Sequence, residues 1–268
     1  MRWIIGDIHG MLGPMETLLR AVDVADDEAE ILFVGDYINR GPDSALVIET
    51  LLALPDCRFI RGNHDDVFDL ILNGDCYAPH PTAPNPLMAM RWFLEHGLDR
   101  TMLSYGADPE QLERFLQKPT DRLMSQLVEL VPEHHRRFFR SLPPAIDEHD
   151  FFMVHALWPP DERSESPGVA MRLANNPRLR HDALWGRYVD QDIGRRKNWR
   201  RTGFFGHTPV NNYMAAAQGG KDLPVVGPQC VLLDTACALS ETGRLTAFCV
   251  ETRTFLQADH FGNLVDEE

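Results

Sequence analysis

The sequence predicts an α/β fold, and three observations carry the prediction. Short apolar runs alternate with amphipathic runs at helical spacing through the first third of the chain. "RWIIGD", "ILFVGD" and "CRFIRGNHD" read as strands, with "MLGPMETLLRAV" and "SALVIETLLAL" as helices between them. A β-α-β-α-β order implies parallel strands joined by crossover helices. Each of these strands also runs into a small polar cluster: Gly6-Asp7-Ile8-His9, Gly35-Asp36 and Gly62-Asn63-His64-Asp65. Open α/β sheets bind ligands beyond the carboxyl ends of their strands, so the three loops should meet at one place.

In the first helix, Met11, Met15, Leu18, Leu19 and Val22 fall at helical spacing. Asp43 or Ser44 is the expected N-cap of the second. Residues 66 to about 145 read as a helical insertion, with amphipathic runs "LMAMRWFLEHGL", "PEQLERFLQ", "RLMSQLVELV" and "PEHHRRFFRSL". Strands return at "FFMVHA", "TGFFGHT", "CVLLDTA" and "RLTAFCVET". Trp158 to Arg180, rich in Pro, Ser, Asn and Arg, reads as a long loop or flap. The insertion and this flap are expected to shape substrate access. Residues 1–268 are expected to form one domain that includes the insertion.

Forty acidic against 26 basic residues give a net charge of −14, which argues against a nucleic-acid polymer or an anionic membrane as partner. No run approaches the ~18 apolar residues of a membrane span. The first residues are too short and too quickly charged for a signal peptide, so a cytoplasmic protein is expected. Five cysteines, an odd number without CxxC spacing, disfavour a disulfide framework or zinc ribbon and suit a reducing compartment. Oligomeric state is left open.

Five clusters follow apolar strands: Asp7/His9, Asp36, Asn63/His64, His155 and His207. Mixed carboxylate and imidazole donors suit divalent manganese, iron or zinc. In Asp-x-His, side chains two residues apart share one face of an extended segment. A carboxylate ending the next strand can bridge two metals, and Asn adds a neutral oxygen. Two metals about 3.5–4 Å apart clamp a phosphoryl group and activate water between them.

"GDIHG", "GDYINRGP", "GNHD", "VHA", "FGHTPV" and "LDTAC", in that order, resemble the calcineurin-like metallophosphoesterases from residue 3 to about 250. More narrowly they resemble the phosphoprotein phosphatase branch, which holds bacterial and phage serine/threonine phosphatases and diadenosine tetraphosphatases. The resemblance implies a β-sheet sandwich flanked by helices and two metal ions, Mn2+ first, with Fe or Zn as alternatives. It implies that Asp7 and His9 hold the first metal, Asp36 bridges both, and Asn63, His155 and His207 hold the second. His64 would be the general acid, and Arg40 would grip the phosphate. Arg187, in "LWGRY", is the candidate second phosphate-gripping arginine, and Asn63 also faces the substrate. A hydroxide bridging the metals would attack the phosphate ester. Asp65 and Asp234 are expected to orient ligands or loops. A non-catalytic binding protein of this fold is the remote alternative, disfavoured because all six ligand positions are filled.

One position departs from the family pattern. Protein phosphatases of this branch carry GDxxDRG, and here the second Asp is Asn39. Asn39 is expected to accept a hydrogen bond from His64 through its carbonyl oxygen. It lacks the charge that would stabilise the imidazolium, so His64 should be neutral more often. Diadenosine tetraphosphatases also lack that Asp and carry GNHD. "LWGR" and the motif spacing favour the protein-phosphatase type. The sequence therefore leans narrowly to a serine/threonine protein phosphatase-type phosphomonoesterase, with dinucleoside polyphosphate hydrolysis as the alternative. The basic stretch "RRKNWRR" (195–201) is read as a solvated segment; the other reading has it attracting a polyanion, with Trp199 stacking on a base. His134 and His135 are placed on a polar helix face, outside the metal cluster. His80, His96, His149, His181 and His260 are read as surface or structural.

Overall fold

Side-chain alternation along the strands decides the architecture. In β1 (Arg2–Ile5), Trp3 and Ile5 face one apolar core while Ile4 faces another. β2 (Glu30–Phe33) repeats this, with Phe33 on the first side and Leu32 on the second. A strand buried on both faces needs a layer against each of them. The computed structural model describes residues 1–162, 168–213 and 222–265.

Between these strands lies α1 (Leu12–Ala25). After β2 come α2 (Ser44–Ala53), β3 (Arg58–Phe59), and the helices α3 (Asn63–Asn73), α4 (Pro86–Phe93), α5 (Asp99–Ser104), α6 (Pro109–Gln117), α7 (Asp121–Val128) and α8 (Glu133–Ser141). The chain continues through β4 (Ala145–Asp147), β5 (Phe151–Val154), α9 (Gly168–Asn175), α10 (Pro177–Trp185), α11 (Asp190–Ile193) and β6 (Thr202–Phe205). It ends with β7 (Val225–Val226), β8 (Cys230–Leu232), β9 (Arg244–Cys249), β10 (Phe255–Asp259) and β11 (Leu264–Val265).

Among the described residues the strands form a six-stranded sheet, order β11-β10-β9-β1-β2-β3, and a five-stranded sheet, order β4-β5-β6-β8-β7. β1, β2 and β3 are parallel, as the sequence predicts, and so are β5, β6 and β8. Ile4, Leu32 and Phe248 from the first sheet meet Phe151, Met153, Phe204 and Val231 from the second in a shared inner core. The outer face of the first sheet is covered by α1, α2 and the helical insertion. Phe152, Val154, Phe205 and Leu232 face α9 and α10 on the far side. The result is two sheets face to face, flanked by helices.

Three local expectations change. Among the described residues of 158–180, Gly168–Asn175 and the stretch from Pro177 are helical rather than loop; the second helix starts where Asn176 Oδ1 accepts from the amides of Arg178 and Leu179 with Pro177 following it. Trp158 is fully buried, and residues 163–167 of that stretch lie outside the described residues. α3 begins at Asn63, three residues before the expected insertion, so Asn63 and His64 stand in its first turn. The hairpin β10–β11 continues the first sheet past the last strand read from the sequence.

Arg61, buried at the end of β3, ties the sheet to the insertion. Its guanidinium donates to Asp66 (2.6 Å), Asp69 (3.0 Å) and the Phe139 carbonyl (2.9 Å). Removing one partner of a buried ion pair strands the other charge and costs about 3–5 kcal/mol. Arg61→Leu is therefore expected to lower unfolding stability by about that amount in urea titrations. Arg61→Leu combined with Asp69→Leu should lose less than the sum of the two single changes.

Candidate active site

The carboxyl ends of β1, β2, β3, β5, β6 and β8 deliver Asp7 and His9, Asp36, Asn63 and His64, His155, His207 and Asp234 to one buried pocket. Tight turns do the aiming. Among the described residues, eight non-glycine residues have positive φ, and five belong here: His9, Asp36, Asn39, Arg40 and His207. Each such conformation costs on the order of 1–3 kcal/mol and persists only where the surroundings fix it. Glycine supplies two close approaches. A Cβ on Gly206 would lie 1.9 Å from Asp7 Oδ1, and one on Gly62 would lie 2.2 Å from Asp36 Oδ1.

Asp36 is the hub. Its Oδ2 lies 3.5 Å from His9 Nε2 and 3.3 Å from His155 Nε2, and its Oδ1 accepts the His64 amide at 2.9 Å. Asn63 Oδ1 lies 3.0 Å from His155 Nε2 and 2.8 Å from His207 Nδ1. His9 Nδ1 donates to the Ile38 carbonyl and His155 Nδ1 to the Val34 carbonyl, both at 2.8 Å. Those bonds fix both rings with Nε2 turned into the pocket, the arrangement that orients metal-binding histidines. Asp65 accepts the amides of Asp36, Tyr37 and Gly62, and so holds the Asp36 loop against the start of α3. Asp7 lies against the His207 turn. Its Oδ2 accepts the His207 amide at 2.9 Å, while its Oδ1 has no partner. Asp234 Oδ1 accepts the Ala236 amide and its Oδ2 is buried without a partner.

Burial opposes charge throughout this pocket, and local partners decide the exceptions. Burial raises Asp7, and neighbouring Asp234 raises it further. Burial also works against Asp36, but His155 and His64 hold its carboxyl well below the usual range. His155 is opposed by burial and lifted by Asp36, to about 10. Burial pushes His64 down to about 3, with Arg40 adding to the shift against the pull of Asp36.

The Asn39–His64 contact reverses the expected polarity. Thr101 Oγ1 donates to Asn39 Oδ1 at 2.9 Å, so the carbonyl oxygen is taken. The amide Nδ2 faces His64 Nδ1 at 2.7 Å and donates to its lone pair. Asn39 therefore supports the neutral imidazole by a hydrogen bond as well as by lacking charge.

Arg40 Nη1 donates to His9 Nε2 at 2.5 Å. Arg40 and Arg187 line one cleft of about 610 Å3 with His207, Thr208 and Tyr213, and Arg187 donates to Thr208 Oγ1 at 3.0 Å. The base-stacking reading of Trp199 is overturned. Trp199 is buried, its ring packs on Phe152 and Phe205, and its indole N–H donates to the Pro159 carbonyl. Lys197 and Arg201 of the same stretch spend their charge on backbone carbonyls and Asp147. His134 is exposed, but His135 is buried and bonded to the Tyr105 hydroxyl, and both face Glu49. One neighbour of the pocket carried no sequence signal, Thr101, 62 positions from Asn39; Trp185, in the "LWGRY" segment but given no role there, has its ring 6.4 Å from that of His207.

The donor set fits a pair of cations. Unpartnered Asp7 Oδ1, converging Asp36, Asn63 and His155 atoms, and two carbonyl-fixed histidines are a mixed O/N set of the kind manganese, iron and zinc accept. Without metal, His155 lies below its pKa at neutral pH and carries a proton beside Asp36, which a cation must displace. Affinity for Mn2+ should therefore rise with pH, by about tenfold per unit per displaced proton between pH 6 and 8. Calorimetry in buffers of differing ionisation enthalpy measures the released proton. An affinity independent of pH would remove His155 from the ligand set.

Comparison with known proteins agrees with this geometry. A region of 134 residues is 30% identical to the symmetrical bis(5'-nucleosyl)-tetraphosphatase of Legionella pneumophila (strain Corby), covering 49% of this chain and 43% of that protein. A 65-residue region is 38% identical to the Bordetella pertussis protein of the same name, 24% of each chain. The matches thus span less than half the length of these curated relatives. Among solved structures, a candidate diadenosine tetraphosphatase superposes with a TM-score of 0.55 at 20% identity, covering 98% of this chain and 94% of that one. A metallophosphoesterase from Sphaerobacter thermophilus gives 0.51 at 16%, covering 99% and 87%. These two likenesses concern the fold. The family model for calcineurin-like phosphoesterase matches residues 2–211, most of the chain and nearly all of the residues gathered around Asp36. The chain belongs to the calcineurin-like phosphoesterase family.

Proposed function

We propose that the protein is a dinuclear-metal phosphohydrolase whose preferred substrate is a dinucleoside polyphosphate. The observation that carries the substrate reading is the Asn39 amide donating to His64 Nδ1 where a protein phosphatase has a carboxylate. The names of the curated relatives support it. In this reading Asp7, His9, Asp36, Asn63, His155 and His207 hold the ions, manganese first. When bound, the metal pair supplies Lewis acidity toward the phosphoryl oxygens and makes hydroxide available at neutral pH.

The chain's own groups do the rest. Arg40 and Arg187 grip phosphoryl oxygens from two sides, a task suited to the planar guanidinium. Asn63 holds its oxygen toward His155 and His207, and Asp65 fixes the backbone under Asp36. Water's oxygen bonds to phosphorus, the P–O bond to the departing phosphate breaks, and the surplus proton goes to solvent. A departing phosphate is a weak base and needs little help from an acid. A departing serine alkoxide needs a full proton, which His64 does not carry at neutral pH. The phosphomonoesterase of protein-phosphatase type stays as a second reading because Arg187, from the "LWGRY" segment that suggested it, lines the cleft with Arg40.

The two readings separate on pH and on one substitution. With manganese kept saturating at each pH, turnover of diadenosine tetraphosphate should be nearly flat from pH 6 to 9, while a phosphoserine peptide should be cleaved slowly and faster as pH falls. Asn39→Asp adds charge beside His64 and raises its pKa. It should speed peptide hydrolysis near pH 7 by about tenfold and change dinucleotide hydrolysis by less than about threefold. Faster wild-type turnover of the peptide than of the dinucleotide at pH 7 would reverse the order of the two readings.

A further inference from the structure

Arg40 borders a second cleft besides the one it shares with Arg187. This second cleft, of about 510 Å3, opens between the start of α1, the Arg40–Asp43 turn, Arg100 of α5 and the tip of the β10–β11 hairpin. The two cavities are similar in size and meet at the arginine nearest His9. Each carries a further arginine, Arg187 in one and Arg100 in the other. The second also carries an open aromatic ring, Phe261, whereas Tyr188 and Tyr213 of the first are buried in its wall.

Phe261 is unusual in this chain. It is 67% exposed, whereas every other phenylalanine is buried or half-buried. It is also firmly held. Asp259 Oδ1 accepts the amides of Phe261 (2.9 Å) and Asn263 (2.8 Å), and Thr17 Oγ1 donates to the Gly262 carbonyl at 2.7 Å, tying the tip to α1. Gly262 takes φ +87°, and its backbone lies so close to Gly13 that an added Cβ would be 3.2 Å from the Gly13 carbonyl carbon. His260, beside Phe261, is anchored by its Nδ1 to the Cys237 carbonyl. An apolar ring exposed on a pinned tip beside an exposed arginine offers a stacking face and a phosphate contact without ordering a loop on binding.

We propose that this cleft is the second nucleotide lobe of the active site, taking the nucleoside diphosphate half that lies across Arg40 from the Arg187 lobe. Arg100 contacts its phosphates and the Phe261 ring stacks on its base. Asp43, which also lines the cleft, is placed to accept from a ribose hydroxyl. The inference rests on the dinucleoside polyphosphate reading, and deepens it by assigning a separate place to each half of the substrate.

The test compares diadenosine tetraphosphate with para-nitrophenyl phosphate, a monoester too small to reach the second lobe, on the manganese-loaded full chain. For Arg100→Ala and Phe261→Ala, the ratio of kcat/KM on the dinucleotide to that on the monoester should fall by about tenfold each, mainly through KM. Phe261→Tyr, which keeps a stacking face, should recover most of it. Both side chains are exposed, and thermal melting checks that the variants stay folded. A ratio within twofold of wild type for both alanine variants, in an enzyme that prefers the dinucleotide, overturns the lobe and leaves the substrate reading standing. A wild-type enzyme that hydrolyses the monoester but shows no preference for the dinucleotide overturns the reading and the lobe together.

Discussion

The buried carboxylate of Asp36 sets the terms for the rest of the molecule. A carboxylate removed from water is expensive unless cations or hydrogen-bond donors surround it. Asp36 has both: His9 and His155 flank one oxygen, and the His64 amide meets the other. Asp65 adds no charge balance, being a second buried carboxylate, but it clamps the Asp36 loop through three backbone amides. Asp7 and Asp234 are also buried nearby, and burial raises both, so the pocket gathers more carboxyl groups than it can readily keep ionised without added cations. Such a pocket favours added cations: burial and then Asp234 raise Asp7, while Asp36 lifts His155 against its own burial.

The fold makes this concentration of charge tolerable by confining it. The central strands of both sheets pack apolar residues on both faces and leave the chemistry to the turns at their carboxyl ends. Those turns are short and several of their residues are left-handed, which aims side chains inward that an extended chain would send elsewhere. Arg61 performs the matching task on the insertion side, where its guanidinium satisfies two buried carboxylates and carbonyls of α8 at once. Strain at the site is thus held by rigid layers on either side.

In the proposed reading, Arg40 is where the metal pocket meets the substrate site. Its backbone is left-handed, its side chain reaches His9, and it borders both clefts. The proposed dinucleotide would place its charged centre at Arg40 and one half in each cleft, whereas a phosphorylated side chain needs only the centre. His64 points the same way, because burial and the Asn39 amide both keep it neutral.

Much of this was legible in the sequence. The parallel order of the first three strands, the helical insertion, and the strand-end positions of Asp7, His9, Asp36, Asn63, His155 and His207 follow from short-range periodicity and from residue type. A strand's pattern and the residue that ends it are written within a few positions of each other. The terminal hairpin and the helix from Pro177 were missed because their signals are weak locally: the first is short strands around a glycine turn, and the second opens on Asn-Pro, which marks loops and helix starts alike. Other properties were decided only by contacts between distant segments. Thr101, from the insertion, takes the Asn39 oxygen and turns its amide toward His64. The layer over the second sheet buries Trp199, while the hairpin tied to α1 leaves Phe261 exposed. Which atom of an amide faces a histidine, and which aromatic ring stays open to a ligand, depends on what packs against it, and that exists only once the chain is folded.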